Sequence, residues 1–305
     1  MFAGDPKWVA SRHTNNLPSR LARADYQIYP TKKERTTFWE RVLLFSLTQS
    51  MRLDADTPET WHRQMDELGN GRTNPVCFRD FDRPQTEFPE KSDLIESVFP
   101  NFRNALSTSF TLRAILATLN ETVDEYKKYV VVNSPGVVIT LKSVDSALSN
   151  SEGARYPVEF LNTLDPGCLP PHKLNIKTGV PLILIRTINP PILTNETRCV
   201  VIQVHGNHLI EAEITTEGPY LGQRVFIPRI PLTNSDGRGV PFKRVQFPAK
   251  VAFAITINRS QGQTFDHLGC DFVKPPFTHG QLYVAVTWVR NPHNLRLRLP
   301  ESEVL

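Results

Sequence analysis

Residues 252–271 read AFAITINRSQGQTFDHLGCD. An apolar run leads into Asn258-Arg259-Ser260-Gln261-Gly262-Gln263-Thr264, and a second apolar run begins at Leu268. A short apolar run bounded by a glycine-containing polar segment predicts a buried strand, here Val251 to Ile257. Its end delivers a turn. Backbone N–H groups around Gly262, with the hydroxyls of Ser260 and Thr264, can hold phosphate oxygens. Asn258 and Arg259 add a donor and a charge beside them. A glycine here also serves simply to permit a tight turn.

Outward from that stretch, a short strand is predicted near Leu268 to Phe272 and a helix from about 279 to 289. Upstream, between about 166 and 232, Leu174 and Ile176 alternate with polar neighbours. Short strands follow at Leu182 to Ile185, Cys199 to Val204, Leu209 to Ile214 and Arg224 to Ile227. His205-Gly206-Asn207-His208 forms a hairpin turn between two of them. Strands this short and this closely spaced predict a small antiparallel barrel. Many of the 25 prolines lie in this part of the chain, which excludes long helices there.

Toward the N-terminus the pattern is α/β again. Thr57 and Pro58 open a helix that Gly69 closes, with Trp61, Met65 and Leu68 on one face. Ser92 to Phe99 is a second short helix. Thr111 to Thr118 is a buried strand, and Asn120 caps a helix over 121–131. Residues 133–155 are polar and irregular. The fold class is therefore α/β with an inserted antiparallel barrel.

The net charge of +4 permits nucleic-acid binding without demanding it. Cys77, Cys168, Cys199 and Cys270 are widely spaced, so neither a zinc site nor a disulfide framework is expected, and the thiols are read as reduced. No apolar run approaches the roughly 20 residues of a membrane helix, and Met1 to Asn16 has no stretch of signal-peptide type. An intracellular protein without a membrane partner is expected.

The Ala252–Asp271 stretch resembles motif V of PIF-type DNA helicases of superfamily one, which reads like A-x-x-x-T-I-N/H-K-S-Q-G-x-T. His279-Gly-Gln-Leu-Tyr283-Val-Ala-Val-Thr-Trp288 resembles the family's motif VI, H-G-Q-x-Y-V-A-L-S-R. YPVEFLNTLDPGCLPPHKLNIKTGVPLILIRTINPP, from Tyr156, resembles the start of its inserted 2B domain, and FIPRIPLTNSD and Gln246-Phe-Pro resemble later segments. Leu47-Thr-Gln-Ser-Met-Arg52 resembles L-x-x-N-M-R, and Gly4-Asp5 resembles the start of motif III. The overall pattern is most similar to the helicases of Helitron-type transposons.

The resemblance implies a second RecA-like domain over 41–155 and 242–305, a 2B-type barrel over 156–241, and a remnant of the first RecA-like domain over 1–40. It implies nucleotide contacts from Arg52, Gln261 and Gly262, and DNA contacts from Thr256, Asn258, Arg259, Ser260, His279 and Tyr283. ATP and Mg2+ are the implied cofactors. Single-stranded or forked DNA and the first RecA-like lobe are the implied partners, with 5′ to 3′ movement, a part in unwinding, recombination or repair, and a nuclear location.

The sequence also departs from that pattern. No Gly-Lys pair occurs in the 305 residues, so the phosphate loop G-x-x-x-x-G-K-S/T is absent, and no acidic pair follows a buried strand. Trp8 stands where motif III has glutamine, and Trp288 where motif VI has its arginine. Arg290 lies two residues on, about 200° around a helix. Glu196 replaces a glycine in the barrel's N-G-T-R, here Asn195-Glu-Thr-Arg198, a costly change if that position has φ > 0. A truncated gene, a decayed transposon copy and an adapted non-catalytic protein all fit. Two functions stay open. One is part of an ATP-dependent helicase. The other is a pseudo-helicase holding single-stranded DNA through Lys173, Arg198, Arg229, Asn258 and Arg259, with His279 or Tyr283 stacking on a base.

Overall fold

The computed structural model describes residues 57–69, 88–106, 108–148, 156–234, 240–276 and 280–300. Arg52, His279, Gly4-Asp5, Trp8 and Cys77 lie outside them.

The apolar run at 113–117 forms β1 (Arg113–Ala117), with Ala114 to Ala117 fully buried. It is flanked by β12 (Ala254–Thr256) and β13 (His267–Asp271), and β14 (Leu295–Arg298) completes a four-stranded sheet in the order β12-β1-β13-β14. Every pair in it is parallel. A parallel sheet needs cover on both faces, and the period-2 alternation of β1 supplies it. Ile115 and Ala117 point into one core with α2 (Lys91–Val98) and α3 (Asn120–Asn133). Ala114 and Leu116 point into a second core with α1 (Glu59–Gly69) and α5 (Gln281–Thr287). In α1 the predicted face is the buried one, with Trp61 at 0% and Met65 at 6% exposure. Gly269 of β13 lets α2 approach, because a Cβ there would lie 2.8 Å from Val98 Cγ2. Asn120 is not the cap expected of it. It is the first helical residue of α3, and Leu119 holds the N-cap position without a side-chain hydrogen bond.

Between α3 and β12 the chain leaves this sheet. β2 (Ile139–Lys142) and β3 (Val144–Ala147) occupy residues expected to be irregular. Neither is long enough to show periodicity, and each is fixed by a distant partner. β2 pairs with β4 (Lys173–Ile176), and β3 with β10 (Phe242–Gln246), which also pairs with β9 (Ile230–Thr233). The helix α4 (Val158–Thr163) packs on β3. A five-stranded antiparallel sheet follows in the order β11-β5-β6-β7-β8. Its strands are β5 (Pro181–Leu184), β6 (Arg198–His205), β7 (Leu209–Ile214), β8 (Arg224–Pro228) and β11 (Ala249–Val251).

This sheet is open, and the expected closed barrel is corrected. Closure would require β8 to pair with β11. Instead β8 stops at Pro228, which has no N–H with which to extend a ladder, and the chain re-enters a different sheet as β9. The single strand expected over 251–257 is also two strands. Ala252 N–H still donates to Pro181 C=O (2.8 Å), whereas Phe253 C=O already accepts from Ile115 N–H (2.9 Å). Within two residues the backbone passes from the antiparallel sheet to the parallel one.

Buried polar groups fix these segments. Arg244 and Asp145, both wholly buried, form a fork-to-carboxylate pair with contacts of 2.6 to 3.1 Å. Arg244 also donates to the carbonyls of Pro170 and Leu161, and Ser143 Oγ donates to Asp145. Gln246 Nε2 reaches the carbonyls of Leu141 and His172.

Candidate functional site

At the carboxyl end of β12 the chain turns through a 3-10 segment, Ile257–Arg259, into Ser260-Gln261-Gly262-Gln263. Gln263 N–H donates to Ser260 C=O at 3.0 Å, and Gly262 sits at φ +85°, as the third residue of a type II turn requires. Ser260 is fully buried and its hydroxyl donates inward to Ile257 C=O at 2.7 Å. Its hydroxyl is therefore committed to building the turn. Asn258 and Arg259 are exposed, Thr256 and Gln261 are half-buried, and Gly262 is exposed.

Thr256 and Arg259 line a cleft of about 260 Å³ between the parallel sheet and the antiparallel strands. One wall is a single face of α3, with Asn120, Val123, Asp124 and Lys127 at i, i+3, i+4 and i+7. The segment Asp165 to Cys168, the end of β5 with Arg186, the Asn195-Glu196 turn and Lys250 complete it. The lining holds four cations (Lys127, Arg186, Lys250, Arg259) and three carboxylates (Asp124, Asp165, Glu196). Arg259 donates to the Gly167 carbonyl, and Lys250 Nζ reaches the same oxygen at 3.4 Å, so two cationic heads converge on one point. Burial pushes the Lys250 amine down to about 8, and repulsion from Arg259 and Lys127 adds to the shift. Burial also lowers Lys127, opposed by Asp124. A cation depressed by burial and by like charges gains most from an arriving anion. Crevices at the carboxyl ends of parallel strands are the usual ligand sites of such sheets.

The other expected contacts are dispersed. Tyr283 is half-buried on α5 and packs against the second core. Lys173 is exposed on β4, away from the lining. Arg229 donates to Lys142 C=O and to Asn207, with its guanidinium 4.9 Å from the Phe247 ring centre. Arg198, expected to track phosphate, is buried at 5% exposure. It donates to Gln263 Oε1 (2.9 Å), Ala252 C=O (3.1 Å) and Arg113 C=O (3.3 Å), and lies 5.1 Å from the Phe265 ring centre. Its fork fastens the antiparallel sheet to the turn, and burial lowers it to about 10. That role is structural, and the phosphate-tracking expectation is corrected. Trp288, in place of the family's arginine, is 5% exposed, and its carbonyl accepts from Phe265 N–H at 2.8 Å. Arg290 pairs with Glu217 and with Asp266 (3.4 Å). Glu196 has φ +72°, so the position read as a family glycine is left-handed. Lys127, Lys250 and Asp165 were missed, although the α3 face was legible as a helical period from Asn120.

Among the described residues no group of three or more His, Cys, Asp or Glu is placed to hold a metal ion. None of their helices is long and apolar enough to cross a membrane.

Residues 159–204 match the model of the DNA helicase Pif1 2B domain. The ATP-dependent DNA helicase Pif1 of Campylobacter jejuni is 48% identical over 52 residues, 17% of this chain and 11% of that protein. The crystal structure of Pif1 helicase from Candida albicans superposes with a TM-score of 0.55 at 21% identity, covering 79% of this chain and 53% of that one. Bacteroides Pif1 bound to single-stranded DNA superposes with a TM-score of 0.54 at 16% identity, covering 82% and 51%. The chain thus spans about half the length of the solved chains it matches. Family model, relative and fold point the same way: the chain is similar to Pif1-type DNA helicases, and the stretch that matches their 2B domain lies between α3 and β12.

Proposed function

We propose that this chain supplies a single-stranded-DNA grip of an ATP-dependent, 5′ to 3′ Pif1-type helicase. Its parallel sheet is the second RecA-like domain, and the antiparallel strands between α3 and β12 form the 2B insert, a wider unit than the expected 156–241. The observation that carries this reading is the junction cleft, where Arg259 and Lys250 converge at the carboxyl end of β12 with Lys127 nearby. Asn258 and Arg259 hold phosphates from the exposed 3-10 turn, and Lys250 meets them from the insert. Bacteroides Pif1, of the same fold, is solved with single-stranded DNA. ATP and Mg2+ are held with the help of a phosphate-loop lobe that these 305 residues do not encode.

Fluorescence anisotropy with labelled oligothymidylate tests the grip. Affinity falls steeply with salt, and Lys250→Ala with Arg259→Ala reduces both the affinity and the salt slope, the slope by about one per lost phosphate contact. Weak binding that ignores salt, or a double variant that binds like the parent, refutes it.

One observation favours a second, non-catalytic reading. Trp288 is core and Arg290 is engaged by two carboxylates, so neither replaces the phosphoryl-stabilising arginine. On that reading the chain binds DNA with the same affinity whether or not ATP is present. It hydrolyses no ATP above a blank, even when mixed with a lobe that carries the phosphate loop.

A further inference from the structure

We propose that Glu196 is a charge gate on the junction cleft: its carboxylate stands at the Ser260–Gln263 turn and lowers the affinity of that turn for a nucleic-acid phosphate. The proposal rests on the DNA-binding reading above and adds to it the residue that limits binding.

Two independent features of the structure meet at this side chain. The first is its backbone. Glu196 lies at φ +72°, a region that residues other than Gly, Asn and Asp seldom adopt. The surroundings impose it. Glu196 N–H donates to Leu184 C=O at 2.9 Å, Asn195 N–H to Thr187 Oγ1 at 3.0 Å, and Thr194 N–H to Thr197 Oγ1 at 3.1 Å. Glycine meets the same requirement without strain, so a glutamate here carries a cost that its loop does not need.

The second is where the carboxylate goes. Glu196 Oε2 is 4.0 Å from the point where a Cβ on Gly262 would stand. Gly262 is the exposed, left-handed residue of the turn that follows Arg259. The left-handed loop therefore brings a negative group from the insert to the place where the parallel lobe would present its turn to an anion. Glu196 lines the same cleft as Arg259 and Lys250. A phosphate approaching the turn there meets a like charge.

Both arms of the test use the full chain with fluorescein-labelled oligothymidylate. Glu196→Gln removes the charge and keeps the side chain. Glu196→Gly removes the charge and the backbone strain together. A like charge within a few ångströms of the bound phosphate is worth on the order of 1 kcal/mol in water, which gives an expected tightening of about fivefold at low salt for both variants. The gain shrinks toward nothing at about 0.5 M salt, where exposed charges are screened. Glu196→Gly also raises the melting temperature, and Glu196→Gln does not. Binding by Glu196→Gln where the parent shows none supports the gate equally. Salt-dependent binding by the parent with no tightening in Glu196→Gln overturns the gate and leaves the grip standing. Absence of binding by parent and variant alike overturns both.

Discussion

The parallel sheet around β1 and the antiparallel sheet around β6 are both made of short strands, yet they are specified by different chemistry. β1 is buried on both faces, and its neighbours β12 and β13 are buried over most of their length. β6 is buried only over Arg198 to Val201. Its register shifts between Val201 and Gln203, and from there exposure alternates toward His205. The bulge thus falls where the strand leaves the core for solvent. Both regions are packed by apolar side chains, and the parallel lobe has a buried carboxylate, Asp271, held by Tyr126 and Arg298, whereas the insert adds to its apolar core a denser set of buried polar pins, Arg244 with Asp145 among its strands and Arg198 against the lobe. Such pins contribute placement more than net stability, because desolvating the charges offsets much of their attraction.

Breaking a pin by removing one partner should therefore hurt far more than replacing the pair. Asp145→Ala leaves Arg244 charged and buried, and urea denaturation should show a loss of about 3–5 kcal/mol. Asp145→Leu with Arg244→Met should be milder than Asp145→Ala. A double variant as damaged as the single one would show that the pair supplies net stability.

Arg198→Ala should cost about 2–4 kcal/mol, since Gln263 and two carbonyls lose their donor in a buried site. Arg198→Lys should recover little, because an ammonium cannot span three acceptors as the fork does. In the parallel lobe, Ile115→Val should cost only about 1 kcal/mol, the usual result of deleting one core methylene. If Ile115→Val exceeds Arg198→Ala, the contrast between the two regions is wrong.

The smallest expected effect is electrostatic. Lys250 has a folded-state value lowered to about 8, so it is mostly charged at pH 7 and mostly neutral at pH 9. Oligonucleotide affinity should fall a few-fold across that range, and Lys250→Arg should flatten the profile. Stability should move the other way. The unfolded chain keeps its lysine protonated longer, so the burial cost is relieved as the pH rises through 8. A parent profile as flat as that of Lys250→Arg would remove Lys250 from the grip.

Elements with their own periodicity were legible in the sequence. Trp61, Met65 and Leu68 marked the buried face of α1, and the apolar run at 113–117 marked a buried strand. Elements defined by distant partners were not. β2 alternates over only four residues, β3 buries Asp145 and exposes Val144 against its polarity, and barrel closure depended on where Pro228 sent the chain. The candidate site divided in the same way. Thr256, Asn258, Arg259 and Gly262 come from one continuous stretch and were named from it. Lys127, Lys250 and Glu196 reach the cleft from three separate elements, and only tertiary structure unites them. Ser260 and Arg198 are buried, and their donors serve as internal fasteners, which a linear stretch of sequence does not reveal.

Hydrogen exchange with and without saturating oligothymidylate tests the central claim most directly. The account predicts new protection over residues 256–263, 120–127 and 183–186, the segments that wall the junction cleft, with the outer hairpin of β7 and β8 unchanged. Protection confined to that hairpin, with the cleft segments exchanging as before, would contradict it.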